Sequence, residues 1–396
     1  MTRSRSIQYI TFVISTAALF NPVAPAAAAP PVVTVKNRVD ASVMPVMQRH
    51  NIPGMAIGII DGDRRYFFDY GVASKQTRQP VTAATLFELG SISKTFTATL
   101  ATYAQALGHL KLTDTTQTYL PQMQGTPFGK VVLVHLGTHT PGGFPLQVPE
   151  EIKTQTQLMS YLQQWKPPYK QGTQRTYSNP GIGMLGLITA KAMKQDFTTL
   201  MQNAIYAPLG LHDTYIDVPA EKMRDYAQGY TKQDAPARVS KAVLWAEAYG
   251  AKSTSRDMLR FVQANMNMIA LDNRLQKAVT DTHIAYAQTA AMTQDLIWEH
   301  YPYPVTLQAL LKGNSAAFAL QPQPVTPVVP PAAPRDDVWM NKTGSTNGFG
   351  AYVAFIPARK QGIVLLANKN YPIEDRIKIA YEILSELDTR PDEKRP

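Results

Sequence analysis

The sequence predicts an α/β protein of the α+β sandwich kind, an antiparallel sheet flanked by helices and joined to a second, all-α domain. Three observations carry that prediction. Short apolar runs separated by turns lie near both ends of the chain, at Met55–Ile60 with Arg65–Tyr70 and at Gly350–Ile356 with Ile363–Ala367. Helical pieces punctuated by Pro and Gly occupy the middle, from about Leu110 to Leu211. With 396 residues, 44% of them hydrophobic, the chain is long and apolar enough to bury two cores. The expected division is an α/β domain of residues 30–105 and 225–396, whose sheet is formed by both ends of the chain, and a mostly helical domain of residues 106–224.

The first 29 residues differ from the rest: Arg3 and Arg5 precede the apolar run Ile10–Phe20, and Ala26–Ala29 follow. That is the pattern of a cleaved export signal, and the apolar stretch is too short to span a bilayer. A Pro-rich lead comes next, then helical spacing over Asp40–His50 and a hairpin around Asp61-Gly62-Asp63. Glu88-Leu89-Gly90 leads into a helix over Ser91–Leu107 that stops at Gly108. Loops are expected at Thr140–Gly143, Pro167–Gly172, Gln228–Gly250 and the Pro-rich Gln321–Arg335. A turn at Pro357–Gln361 joins the last two strands, and a final helix is expected over Glu374–Leu387.

Composition excludes several functions. The chain has no cysteine, so disulfides and thiolate metal sites cannot contribute. The seven histidines, at 50, 109, 135, 139, 212, 283 and 300, show no HxH or HExxH spacing, so no zinc site is expected. Net charge is +10, and loss of the signal with its two arginines would leave +8. No run of five like charges marks a nucleic-acid or membrane patch, and the excess charge reads as solubility. No heptad or repeat points to an oligomer, so a monomer is expected.

The chemistry lies in three short motifs. Ser91-Ile92-Ser93-Lys94 is the one S-x-x-K in the chain, and at the start of a helix it puts Lys94 one turn from Ser91 on the same face. A serine hydroxyl needs such a neighbouring base to become a nucleophile. Taken alone the motif reads more readily as a helix cap and a solvated lysine than as a nucleophile and its base. Tyr177-Ser178-Asn179 is the one Y-x-N, and Tyr177 would carry protons if nearby positive charge stabilised its phenolate. Lys342-Thr343-Gly344 is the one K-T-G, next to the strand at Gly350. Its lysine and threonine suit a substrate carboxylate, and Gly344 would let substrate approach the backbone. Together they supply nucleophile, proton carrier, anion binder and oxyanion donors for acyl transfer, a chemistry that needs neither a metal nor an organic cofactor.

Across nearly the whole mature chain the sequence resembles the class C β-lactamases, exported serine cephalosporinases. The segments that carry the resemblance are Phe87–Phe96, Pro145–Pro149, Tyr177–Asn179, Ala246–Gly250, Lys342–Thr346 with Gly348–Gly350, and Leu366–Pro372. The resemblance implies an acyl-enzyme on Ser91, proton transfer by Lys94 and Tyr177, and an oxyanion hole from the backbone N–H groups of Ser91 and Ser345. It also implies that Gln147 and Asn179 hold the substrate's amide, that Tyr249 lines the side-chain pocket, and that Lys342 and Thr343 face the carboxylate. The loop Gln228–Gly250 would be the counterpart of the family's omega loop.

Three departures stand out. Lys241-Ala242 and Trp245 occupy positions where many relatives have Pro-Gly and Asp, and Trp245 would narrow the pocket. Ile373 replaces an Asn, shifting carboxylate recognition toward Lys342, Thr343 and Arg376. Asn347 replaces a glycine beside the K-T-G strand. The expected function is hydrolysis of small-molecule β-lactams, cephalosporins ahead of penicillins, in the periplasm. A D,D-peptidase, an esterase on the same scaffold, or a non-hydrolytic penicillin-binding sensor are the alternatives.

Overall fold

The computed structural model describes residues 32–388, so the signal segment, residues 1–29, lies outside the described residues. Helix α1 spans Val32–Arg49 and begins well before the expected Asp40. The reason is a stripe of valines, Val35, Val39, Val43 and Val46, all buried, spaced to keep one helix face on the core. Strands β1 (Gly54–Asp61) and β2 (Arg64–Gly71) form the expected hairpin, with Asp61 opposite Arg64. All eight residues of β1 are buried, whereas β2, an edge strand, alternates between buried and exposed.

Seven further strands complete the sheet: β3 (Ala285–Gln288), β4 (Thr293–Gln294), β5 (Glu299–Pro302), β6 (Thr326–Ala332), β7 (Val338–Ser345), β8 (Gly350–Ile356) and β9 (Gln361–Ala367). Their spatial order is β6-β3-β4-β5-β7-β8-β9-β1-β2, and each adjacent pair is antiparallel. The pairing of β1 with β9, Met55 opposite Ala367, joins residues near the two ends of the chain.

Two expected loops contain regular structure. The Pro-rich segment Gln321–Arg335 holds β6, the outermost strand, which pairs with β3. Proline removes a ladder donor, and an outer edge is where a strand tolerates that loss. Within Gln228–Gly250, Gly229–Tyr230 pairs with Pro236–Ala237, and Trp245–Tyr249 forms a short helix.

Further helices that matter for the site are α2 (Ser93–Ala106), α3 (Leu133–Gly137), α4 (Gln155–Gln164), α5 (Asn179–Ala192), α6 (Trp245–Tyr249), α7 (Ser255–Asn265), α8 (Asn273–Asp281) and α9 (Ile373–Asp388). One face of the sheet is covered by α1 and α9, where Ile57, Ile363 and Leu365 of the strands meet Val39 and Ile377 of the helices. The other face meets α2 and α7 through Phe96, Leu259 and Phe261 against Val353 and Leu366. A third core, with Leu133, Leu158, Ile182 and Leu185, lies among the helices between α2 and α8 in sequence. Each large aliphatic side chain so buried contributes about 1.5–3 kcal/mol.

Candidate active site

Ser91 lies in a single turn of 3-10 helix, Gly90–Ile92, that runs directly into α2. Lys94, in the first turn of α2, is fully buried, and its ammonium donates to Ser91 Oγ at 2.9 Å and to the carbonyl of Ala248 in α6 at 2.8 Å. The i, i+3 spacing of S-x-x-K thus becomes a contact, and α6 supplies an acceptor that fixes the amine.

Tyr177 precedes α5, whose N-terminus is capped by Ser178 Oγ accepting from Gly181 N at 3.0 Å. Its ring is 5.4 Å from the Lys94 ammonium and 5.2 Å from that of Lys342 on β7. Burial alone would push the phenol up. The charges of Lys342 and Lys94 and a hydrogen bond from Ser91 outweigh it and bring the phenol down to about 8. Burial likewise draws Lys94 down to about 8, opposed by the Tyr177 charge and assisted by Lys342. Two proton carriers that titrate near neutrality therefore flank one hydroxyl.

The residues named from the sequence divide into two groups. Ser91, Gln147, Tyr177, Asn179, Tyr249, Ser345 and Asn347 line one cleft of about 890 Å³, with Lys153 and Val239–Val243 also on its walls. Asn179 Nδ2 donates to Gln147 Oε1 at 2.8 Å, while Asn179 Oδ1, buried, has no protein partner. Lys94 and Lys342 stand behind the cleft, Lys342 donating to the Thr343 carbonyl at 3.1 Å. Thr343 is half-buried on the same strand and is not among the residues lining the cleft.

Arg376 and Gly344 require correction. Arg376 is fully buried and is not among the residues lining the cleft. Its guanidinium donates to Gly344 O at 2.7 Å, Ser345 Oγ at 2.9 Å, Asn370 Oδ1 at 2.9 Å and the carbonyl of Tyr371. It holds the end of β7 in place. Arg376→Gln is expected to lower stability by roughly 2–4 kcal/mol, since several buried carbonyls lose their donor, which urea unfolding would measure. The space that Gly344 leaves is taken by the protein itself, because a Cβ there would lie 2.0 Å from the Leu89 carbonyl oxygen, and Gly344 is not among the residues lining the cleft.

Trp245 also departs from expectation. It does not line the cleft; its ring has the ammonium groups of Lys252, at 4.6 Å, and Lys241, at 5.1 Å, against it, and packs on Gly250. Ile373 packs, half-buried, on the α1–α9 side of the sheet, and Asn347 is exposed in the turn between β7 and β8.

Several contributors were not legible beforehand. Gly90 has φ +53°, and a Cβ on it would come within 2.5 Å of Ser345 N and O, so the Ser91 turn and β7 touch only because residue 90 is glycine. Glu88, buried, accepts from Thr346 Oγ1 and Tyr226 OH, both at 2.6 Å, and from Val239 N at 2.8 Å. It ties Thr346 and Val239, on two walls of the cleft, to Tyr226 in the core beneath. A glycine just before a candidate nucleophile was the available signal for the first; the second had none, because its partners are remote in sequence.

The Ser91 hydroxyl and the Tyr177 phenol line one cleft with the Lys94 amine buried behind it, and the comparisons agree with such a site. The Beta-lactamase family model matches residues 39–388. The chain is 48% identical over 354 residues to a beta-lactamase of Pseudomonas fluorescens, covering 89% of this chain and 99% of that one. Among solved structures it is similar to a beta-lactamase/D-alanine carboxypeptidase from Pseudomonas syringae, with TM-score 0.88, 51% identity, and coverage of 90% of this chain and 100% of the other. A class C beta-lactamase in complex with cefoxitin matches with TM-score 0.88 and 49% identity over 90% of this chain and 99% of that one. With a serine and lysine in hydrogen-bond contact under a half-buried tyrosine, and with likeness of this extent, the chain belongs to the class C β-lactamases and is a β-lactam hydrolase.

Proposed function

We propose that the enzyme opens cephalosporins ahead of penicillins through an acyl-enzyme on Ser91, acting as a monomer in the periplasm after removal of its first 29 residues. The observation that carries the covalent step is the 2.9 Å contact of Lys94 Nζ with Ser91 Oγ. Ser91 Oγ attacks the lactam carbonyl, its proton passing to the Lys94–Tyr177 pair, and the lactam nitrogen takes a proton as the ring C–N bond breaks. Water then attacks the ester, giving up its proton to Tyr177, and Ser91 is released. The backbone N–H groups of Ser91 and Ser345 would hold the oxyanion.

Preference for cephalosporins is supported by a second hollow, about 590 Å³, that shares Tyr177 and Leu146 with the cleft and is lined also by Phe144, Trp165, Tyr169 and Leu320. Besides its acylamino group a cephalosporin carries a variable substituent on its six-membered ring, where a penicillin has only two methyl groups on a five-membered ring, so a second hollow suits the former. Export is supported by the basic, apolar and small-residue order of the N-terminal segment.

The test is stopped-flow kinetics with mass spectrometry on the mature chain and a chromogenic cephalosporin. Sustained turnover with a transient adduct on Ser91 is expected, with a lower kcat/KM for penicillins. A single burst leaving a stable adduct would point instead to a peptidase or sensor. Gly90→Ala is expected to cut kcat/KM by about 10²–10³, the cost of one misplaced oxyanion donor, with the fold intact by circular dichroism.

A further inference from the structure

We propose that His139 is the positioning residue that fixes the Tyr177 phenol over Ser91, gripping the tyrosine from both sides of its backbone and along its ring. The inference rests on the proton-carrier role of Tyr177 given above. His139 is completely buried in the loop after α3 and has φ +59°, a conformation unusual for any residue but glycine. Its carbonyl accepts from Thr176 N at 2.8 Å, and its Nδ1 accepts from Ser178 N at 3.2 Å. Its ring lies 4.4 Å from the Tyr177 ring, tilted by 40°. The residues before and after Tyr177, and its aromatic face, are therefore all held by one side chain and its own carbonyl.

The bonding settles the tautomer. A backbone N–H can only donate, so Nδ1 carries the lone pair and the proton sits on Nε2. Nε2 is buried with no partner in the protein. Burial first, then the charges of Arg175, Lys94 and Lys342, hold the imidazole well below the ordinary histidine range. A protonated ring would lose its acceptor for Ser178 and place a fourth cation beside Tyr177. The ring is thus a neutral support that does not titrate while Tyr177 and Lys94 do. The loop carrying it is itself pinned, His135 Nδ1 to Thr140 Oγ1 at 2.7 Å and Thr140 N to His135 O at 2.9 Å. A left-handed residue and an unpartnered buried N–H are both unfavourable locally, and neither is needed merely to close a surface loop.

Two substitutions separate the parts of the grip. His139→Phe keeps an aromatic ring and loses the acceptor for Ser178. His139→Asn puts an amide oxygen near the place of Nδ1 and tolerates the left-handed backbone, but loses the ring. Both are expected to lower kcat on a chromogenic cephalosporin by about tenfold to a hundredfold, the effect of a small misplacement. Both are also expected to move the acidic limb of the kcat–pH profile upward, because a phenol drawn away from Lys94 and Lys342 returns toward the ordinary tyrosine value of about 10. A fall in kcat with the limb unmoved would mark a merely structural role and overturn the proposal, as would wild-type kinetics in both variants.

If neither variant folds, nitrogen NMR of the wild-type enzyme decides: the His139 ring is expected to keep the Nε2–H tautomer between about pH 5 and pH 9, and a His139 resonance that titrates in that range overturns it. Tyr177→Phe distinguishes this inference from the reading beneath it. Wild-type turnover in Tyr177→Phe removes the proton-carrier role and His139 with it, whereas an inactive Tyr177→Phe beside fully active His139 variants removes His139 alone.

Discussion

Ser91→Ala is expected to abolish both turnover and covalent labelling, with kcat falling by a factor on the order of 10⁴–10⁶. The size follows from the site's construction. Lys94 has Ser91 Oγ as one of its hydrogen-bond acceptors, and Tyr177 takes a hydrogen bond from the same hydroxyl, so the proton-transfer groups converge on one oxygen. Without that oxygen no other hydroxyl takes its place: Ser93 Oγ is committed to Ala251 N at 3.0 Å. Fold stability should change little, since the lost hydroxyl is partly solvated. Intact-mass spectrometry after mixing with a cephalosporin would check the first point and thermal unfolding the second. A stable adduct on the variant would place the nucleophile elsewhere and remove Ser91 from the mechanism.

How far the site was legible in the sequence depends on the kind of interaction. Ser91, Lys94 and Tyr177 were legible because each sits in a short motif, and i, i+3 spacing at a helix start converts directly to contact. The hairpins β1–β2 and β8–β9 were legible from short apolar runs around turns. The start of α1 was missed where prolines suggested an extended lead, although four valines at helical spacing outweighed them. The strand β6 was missed because proline argues against a central strand and not against an outer one.

The misassigned role of Arg376 has a different cause. A sequence places it near the substrate's carboxylate as well as near the end of β7, and only burial separates those readings. A guanidinium fully withdrawn from solvent and donating to backbone carbonyls on two segments is structural, even at the edge of an active site. The same holds for Gly344, where the sequence shows a need for space but not what fills it. Ala248 contributes only its carbonyl, and Glu88 acts across partners far apart in the chain, so no residue pattern signals either. Contacts made by backbone atoms and by long-range partners are the part of such a site that only coordinates reveal.

Tyr177→Phe is expected to reduce steady-state turnover by about 10³-fold while leaving a measurable acylation burst, because deacylation needs a base for water and acylation retains Lys94. The pH dependence separates the two groups. In the wild-type enzyme the pair gives up a proton near pH 8, so the rate should rise with pH up to that point, and the limb belongs to the pair and to neither residue alone. Removing the phenol removes the negative charge that supports the Lys94 ammonium, while burial and Lys342 continue to push it down. The lysine should then lose its proton at lower pH than before. The acidic limb of the burst rate in Tyr177→Phe is therefore expected below the wild-type limb, the reverse of the shift expected when His139 is replaced. Stopped-flow burst rates across pH would show it. A limb that stayed near pH 8 would mean that Lys94 and Tyr177 do not share their charge, and a variant with wild-type deacylation would mean that water loses its proton to another group.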